Sequence, residues 1–168
     1  DNTKIYWVSS KAAFSLLKYN QFIDVIIDVE QDSEIEKIKK IKFDLVLSLE
    51  DERNTLIKFK KIKYDKISGT VLNSNNITYT DDLKEWYDMS LISKFGKEKA
   101  DMLKKENLKS HSEIFSKGLG ITEVEPYYFN SIEVENKVDN YMSLFKENFY
   151  ILGLNLSAGK RWPSKALS

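Results

Sequence analysis

Phe43-Asp44-Leu45-Val46-Leu47-Ser48-Leu49 is an apolar run that ends in the polar stretch Glu50-Asp51-Glu52-Arg53-Asn54. The run has the length and composition of a β-strand, and a helix is predicted from Asn54 to Ile62. The same alternation precedes it. Ile5-Tyr6-Trp7-Val8 reads as a strand, and Ser9 or Ser10 is placed to cap a helix carrying Ala13, Phe14, Leu16 and Leu17, which Asn20 ends. Phe22 to Val29 reads as a second strand. Asp32 or Ser33 is the expected cap of a helix whose Ile35, Ile38 and Ile41 share one side. A β-α-β-α-β-α order argues for an α/β protein with a Rossmann-like parallel sheet and right-handed crossovers. Such sheets bind ligands beyond the carboxyl ends of their strands. Glu50, Asp51 and Arg53 are therefore candidate acceptor-side residues. The alternative is that the acids simply complement the dipole of the following helix.

Downstream, Tyr64 to Val71 is a predicted strand containing Gly69, and Asn73-Ser74-Asn75-Asn76 is a turn by composition. Ile77 to Thr80 returns as a short strand. Trp86, Tyr87, Met89, Leu91 and Ile92 form an aromatic-apolar group, either core packing or a surface for a sugar. Gly96 opens a charged helix over Lys97 to Leu108, with Ala100, Leu103 and Leu108 as its apolar stripe. Ser110 or Ser112 caps a further helix, with Gly118 and Gly120 as stop signals. His111 sits in that capping segment and reads as a surface residue. Pro126 precedes a predicted strand, Tyr127 to Phe129. Ile132 to Phe145 is an amphipathic helix bearing Val134, Val138, Met142 and Phe145.

The chain then reaches Tyr150-Ile151-Leu152-Gly153-Leu154, a strand-like run, and Asn155-Leu156-Ser157-Ala158-Gly159, a small polar turn. Lys160, Arg161 and Lys165 follow. Small residues let backbone N–H groups approach an anion, and the cations supply charge, so this is a candidate phosphate loop. A solvated basic loop is the alternative. Neither Walker nor dinucleotide glycine patterns are present. The expected division is residues 1–146 as one domain and 147–168 as the start of a second.

Composition narrows the classes. Across 168 residues, Lys+Arg 26 balance Asp+Glu 26, so no whole-chain argument points to nucleic acid. The chain has no cysteine and one histidine, which argues against disulfides and a zinc site. No apolar run approaches the roughly 20 residues of a spanning helix. A cytoplasmic location is expected, with at most peripheral contact at the inner face of the membrane.

Three segments carry a resemblance. Leu154-Asn155-x-x-Ala158-Gly159-x-Arg161-Trp162-Pro163-x-Lys165 resembles the start of the donor domain of family 9 glycosyltransferases, the lipopolysaccharide heptosyltransferase group. Phe43 to Asp51 is similar to a strand of that family's acceptor-side domain. Tyr79 to Leu91, followed by Lys97-x-Lys99-Ala100-Asp101 and Lys104-Lys105-x-Asn107, is similar to a Trp-aromatic-Asp-Met segment in part of the family. The three stand in the family's order.

The resemblance implies a GT-B architecture of two Rossmann-like domains, here without the first β-α unit and most of the donor domain. It implies an inverting transfer of a heptose or related sugar from a nucleotide sugar such as ADP-heptose to a lipopolysaccharide or other lipid-linked glycan, with no metal or other cofactor. By position, Lys165 matches the donor-phosphate lysine, and Ser157, Ala158 and Gly159 match the loop beneath the diphosphate. Lys160 and Arg161 are adjacent candidates. The family's catalytic aspartate has no counterpart in this chain. The alternative function is a non-catalytic α/β module that binds a phosphorylated ligand or nucleotide, or an inactive fragment that needs partner segments.

Overall fold

Alternating apolar runs and amphipathic stretches fold into an α/β arrangement in the computed structural model, which describes residues 3–123, 127–145, 150 and 152. The chain divides after Phe129 into two units. In the first, β1 (Tyr6–Ser9) pairs in parallel with β2 (Val25–Asp28), from Tyr6 opposite Val25 to Ser9 opposite Asp28. A second sheet has the order β3-β4-β5. Here β3 (Lys42–Ser48) runs parallel to β4 (Lys63–Asn73), and β5 (Asn76–Tyr79) runs antiparallel to β4. Ser74, with φ of 54°, makes the tight turn between β4 and β5.

Helices cover the sheets. They are α1 (Phe14–Leu17), α2 (Asp32–Ile38), α3 (Arg53–Phe59), α4 (Lys84–Tyr87), α5 (Lys97–Glu106) and α6 (His111–Leu119). Ile35 and Ile38 of α2 are buried against Ile27 of β2, as their helical spacing predicts. Tyr6, Val8 and Phe43 pack on the same group, so α2 draws β1, β2 and β3 to one face. Lys58 of α3 holds the amino end of α2, reaching the carbonyl of Val29 at 3.1 Å and Asp32 at 3.4 Å.

Several local expectations change. Asp32 is the first residue of α2 and Gln31 its cap; neither Asp32 nor Ser33 caps it. Glu34 turns back instead and accepts from the N–H of Asp28 at 2.9 Å. Glu52 caps α3, accepting from the N–H of Thr55 at 2.7 Å. Those two bonds from Thr55, through its hydroxyl and its N–H, hold the Glu52 carboxyl below its ordinary range. Ser110 caps α6 in a reciprocal box with Glu113, as expected.

Gly120 is the left-handed stop, whereas Gly118 lies inside α6, where an added Cβ would sit 2.3 Å from the carbonyl oxygen of Asp82. Close helix packing, not termination, explains that glycine. Leu108 falls outside α5 and is 97% exposed. Tyr127 to Phe129 forms no strand; Phe129 instead sets its ring edge-on against both Tyr127 and Phe22.

The described part of the second unit contains α7 (Ile132–Met142), capped by Ser131. The domain boundary expected after residue 146 lies outside the described residues. No helix among the described residues is long and apolar enough to cross a membrane.

Candidate functional site

The described candidates gather at the carboxyl end of β3, where the strand's backbone leaves the sheet and its last carbonyls need partners. Ser48 closes the strand. Its hydroxyl bonds the Thr70 hydroxyl at 2.8 Å, and its carbonyl accepts from Thr70 at 3.3 Å and from the Tyr87 phenol at 3.4 Å. Glu50 and Asp51 come next. Glu50 accepts from the N–H of Glu52 at 2.8 Å and so folds the loop over its own backbone. Asp51 is exposed.

Tyr87 is buried within the α4 turn, which brings a phenol beneath these acids. Burial, and then the negative charges of Asp51 and Glu50, push its ionisation up to about 12. The Tyr87 hydroxyl therefore stays protonated at neutral pH and acts as a donor. Tyr79 stacks on it with ring centroids 5.3 Å apart. The Tyr79 hydroxyl donates to Asp88 at 2.6 Å and accepts from the N–H of Lys94 at 3.0 Å. Burial, reinforced by Asp88, raises its ionisation as well.

Below the rim lies a chain of small polar groups. Ser68 and Thr70 are fully buried in β4. Ser68 donates to Asp82 at 2.6 Å, and Thr80 donates to the same carboxylate. Burial works to raise the Asp82 carboxyl. The hydrogen bonds from Ser68 and Thr80, the N–H of Leu83 and the charge of Lys66 outweigh it, so the carboxyl ionises below its ordinary range. Between Ser68 and Thr70, Gly69 gives its N–H to the Thr80 hydroxyl at 2.7 Å.

Arg53 is not part of the acid pair. Its guanidinium reaches across to the β4–β5 turn, donating to the Asn75 carbonyl at 3.3 Å and to the Asn75 side chain. The structure thus brings Glu50 and Asp51 together with Tyr87 and Ser48, and assigns Arg53 to fixing the hairpin. Tyr87 enters the sequence reading only within the aromatic-apolar group, as core or as a surface for a sugar, and Ser48, Thr70 and Asp82 are not singled out there. Gly69 inside the predicted strand is the available signal, because a glycine within a strand marks a place where another backbone approaches closely.

Trp86, expected with the apolar group, packs edge-on to His111 and Phe115 with centroids 4.5 and 5.7 Å apart. Tyr87 and Met89 are core, whereas Leu91 is 90% exposed. The phosphate-loop candidates Ser157, Ala158, Gly159, Lys160, Arg161 and Lys165 lie outside the described residues.

The rim can accept hydrogen bonds from a polyol at Glu50 and Asp51, while the single Tyr87 proton is committed to the Ser48 carbonyl. No family model, curated protein or solved structure matches the chain.

Proposed function

We propose that the chain works in glycosyl transfer, as part of an inverting enzyme of the family 9 type that moves a heptose or related sugar from a nucleotide sugar to a lipopolysaccharide or other glycan acceptor. Three sequence segments in order support the reading. The single structural observation that supports it most is the grouping of Glu50 and Asp51 over the protonated phenol of Tyr87 at the end of a parallel strand. That is the position at which open α/β sheets take ligands.

In this reading the two carboxylates accept hydrogen bonds from acceptor hydroxyls and orient them. Lys160, Arg161 and Lys165 offset the charge of the departing diphosphate, and no described residue is assigned as the base. Calorimetric titration of the chain with ADP- and UDP-sugars tests it. A saturable heat with a nucleotide sugar, weakened by Lys165→Ala, is expected. Absence of binding to both classes counts against the reading. Binding with no transfer under any acceptor condition favours a non-catalytic nucleotide module.

A further inference from the structure

Lys37-Ile38-Lys39-Lys40-Ile41-Lys42-Phe43-Asp44 and Lys58-Phe59-Lys60-Lys61-Ile62-Lys63-Tyr64-Asp65 are one pattern met twice: Lys, apolar, Lys-Lys-Ile-Lys, aromatic, Asp. The first copy leads from α2 into β3 and the second from α3 into β4. Because β3 and β4 are parallel, both copies come to the same end of the sheet, and the register sets Lys42 directly opposite Lys63. Ile41 and Ile62 turn inward and pack on the cluster of Ile27, Ile35 and Ile38. The lysines stay outside: Lys40, Lys42, Lys60, Lys61 and Lys63 are all exposed.

The needs of the fold explain part of this. Cations in the last turn of a helix complement its dipole, which accounts for Lys37 and Lys58. Lys39 is paired with Glu36 at 2.6 Å, and Lys42 with Asp65. Among the described residues, no ion pair engages Lys40, Lys60, Lys61 or Lys63. Neighbouring strands lie about 4.8 Å apart, so aligning Lys42 with Lys63 sets like charges side by side. An anion spread over this end of the sheet relieves that repulsion.

The rest of the chain is a poor source of that anion. Residues 146–168 carry Lys146, Lys160, Arg161 and Lys165 against Glu147 alone, and residues 124–126 offer only Glu125. The kind of external anion follows from charge and residue type. Domains that grip nucleic acid are basic as a whole, whereas this chain has a pI of about 6.8. The lysine pattern holds no Arg, Asn or Gln to read base edges, and a lysine is a point charge without a fork. A bilayer meets one pole only. The seven residues of β3 span about 23 Å, more than two Debye lengths, so the acids Glu50 and Asp51 at the far end of the strand add little repulsion there.

We infer that the amino end of the β3–β4 pair is a docking surface for an anionic phospholipid bilayer, whose headgroup phosphates are held by Lys40, Lys42, Lys60, Lys61 and Lys63. Lysine clusters of about this size are what anionic leaflets attract. The isoleucines between the lysines face the core, so the contact is peripheral and electrostatic. This inference does not depend on the glycosyl-transfer reading.

Sedimentation of the full chain with sucrose-loaded vesicles tests it. One set is phosphatidylcholine alone; the other is three parts phosphatidylcholine to one part phosphatidylglycerol. The expected result is saturable partition onto the phosphatidylglycerol vesicles only, abolished by high salt. Lys40→Gln, Lys61→Gln and Lys63→Gln together lower it about tenfold or more, and Lys→Arg at the same three positions keeps it. Lys97→Gln, Lys99→Gln and Lys104→Gln on α5, an equal loss of charge, leave it unchanged. Circular dichroism confirms that each variant is folded.

The inference is overturned by equal partition onto both vesicle sets or onto neither, by an unaltered Gln variant at the three positions, by loss in the Arg variant, or by an equal loss in the α5 variant. It is also overturned if duplex DNA at matched phosphate concentration strips the chain from the vesicles, because nucleic acid is then the preferred ligand.

Discussion

A Cβ placed on Gly69 would lie 1.9 Å from the carbonyl oxygen of Ser48, and Gly69 holds a φ of 106°. The close approach of β4 to the end of β3 is what lets Thr70 and Tyr87 reach the Ser48 carbonyl. Gly69→Ala faces a backbone clash and a strained φ together, and is expected to cost about 2–4 kcal/mol. A shift of the urea midpoint checks it. A loss below about 1 kcal/mol would show that the strand relaxes without consequence.

Asp82 ties β4 to the turn before α4. Because its folded carboxyl ionises below the unfolded value near 3.8, its contribution is fully present above that value and is lost as pH falls through the folded value. Asp82→Asn should therefore destabilise by about 1–3 kcal/mol at pH 6. The difference from the unmutated chain should shrink below about pH 4, near the ordinary carboxyl range. Urea unfolding at several pH values gives both numbers; a pH-independent difference would remove the charge from the account.

Tyr87 should titrate at about 12, well above the ordinary phenol at 10.0. The raised value favours the protonated form in the fold, so this stability is complete below 10 and fades as pH rises through 12. Absorbance near 295 nm in the unmutated chain and in Tyr87→Phe isolates its transition. Asp51→Asn and Glu50→Gln should each move that transition down, and failure of both to move it would place the acids too far away to matter.

Ser110→Ala removes the side-chain half of the α6 capping box, the hydroxyl that accepts from the N–H of Glu113, and should cost about 1 kcal/mol. Ser110→Asp should restore most of that, since a carboxylate also caps and complements the helix dipole. Thermal unfolding of the two variants decides between capping and mere surface placement.

In the glycosyl-transfer reading, Lys165→Ala should lower turnover by on the order of a hundredfold while circular dichroism stays unchanged, the scale expected when one group stabilising developing charge is lost. Unchanged turnover and donor affinity would remove Lys165 from that role.

Sequence alone determined the elements in which local and tertiary preferences agree. The spacing of Ile35 and Ile38 gives a helix face under any partner, and the alternating Phe43, Leu45 and Leu47 make a strand. Ser110 with Glu113 three residues later caps a helix by its own chemistry. Tertiary structure decided the rest. Tyr87 joins Glu50 and Asp51 across more than thirty residues of chain, a proximity that hydropathy cannot encode because it depends on where α4 lands on the sheet. Arg53 reads as an acceptor-side candidate until the β4–β5 turn presents Asn75 to it. Gly118 reads as a helix stop until packing against Asp82 makes it a contact. Local sequence carries periodicity and capping. Which free groups meet is settled only when the strands have chosen their neighbours, because burial and hydrogen bonding between distant segments then fix the final geometry.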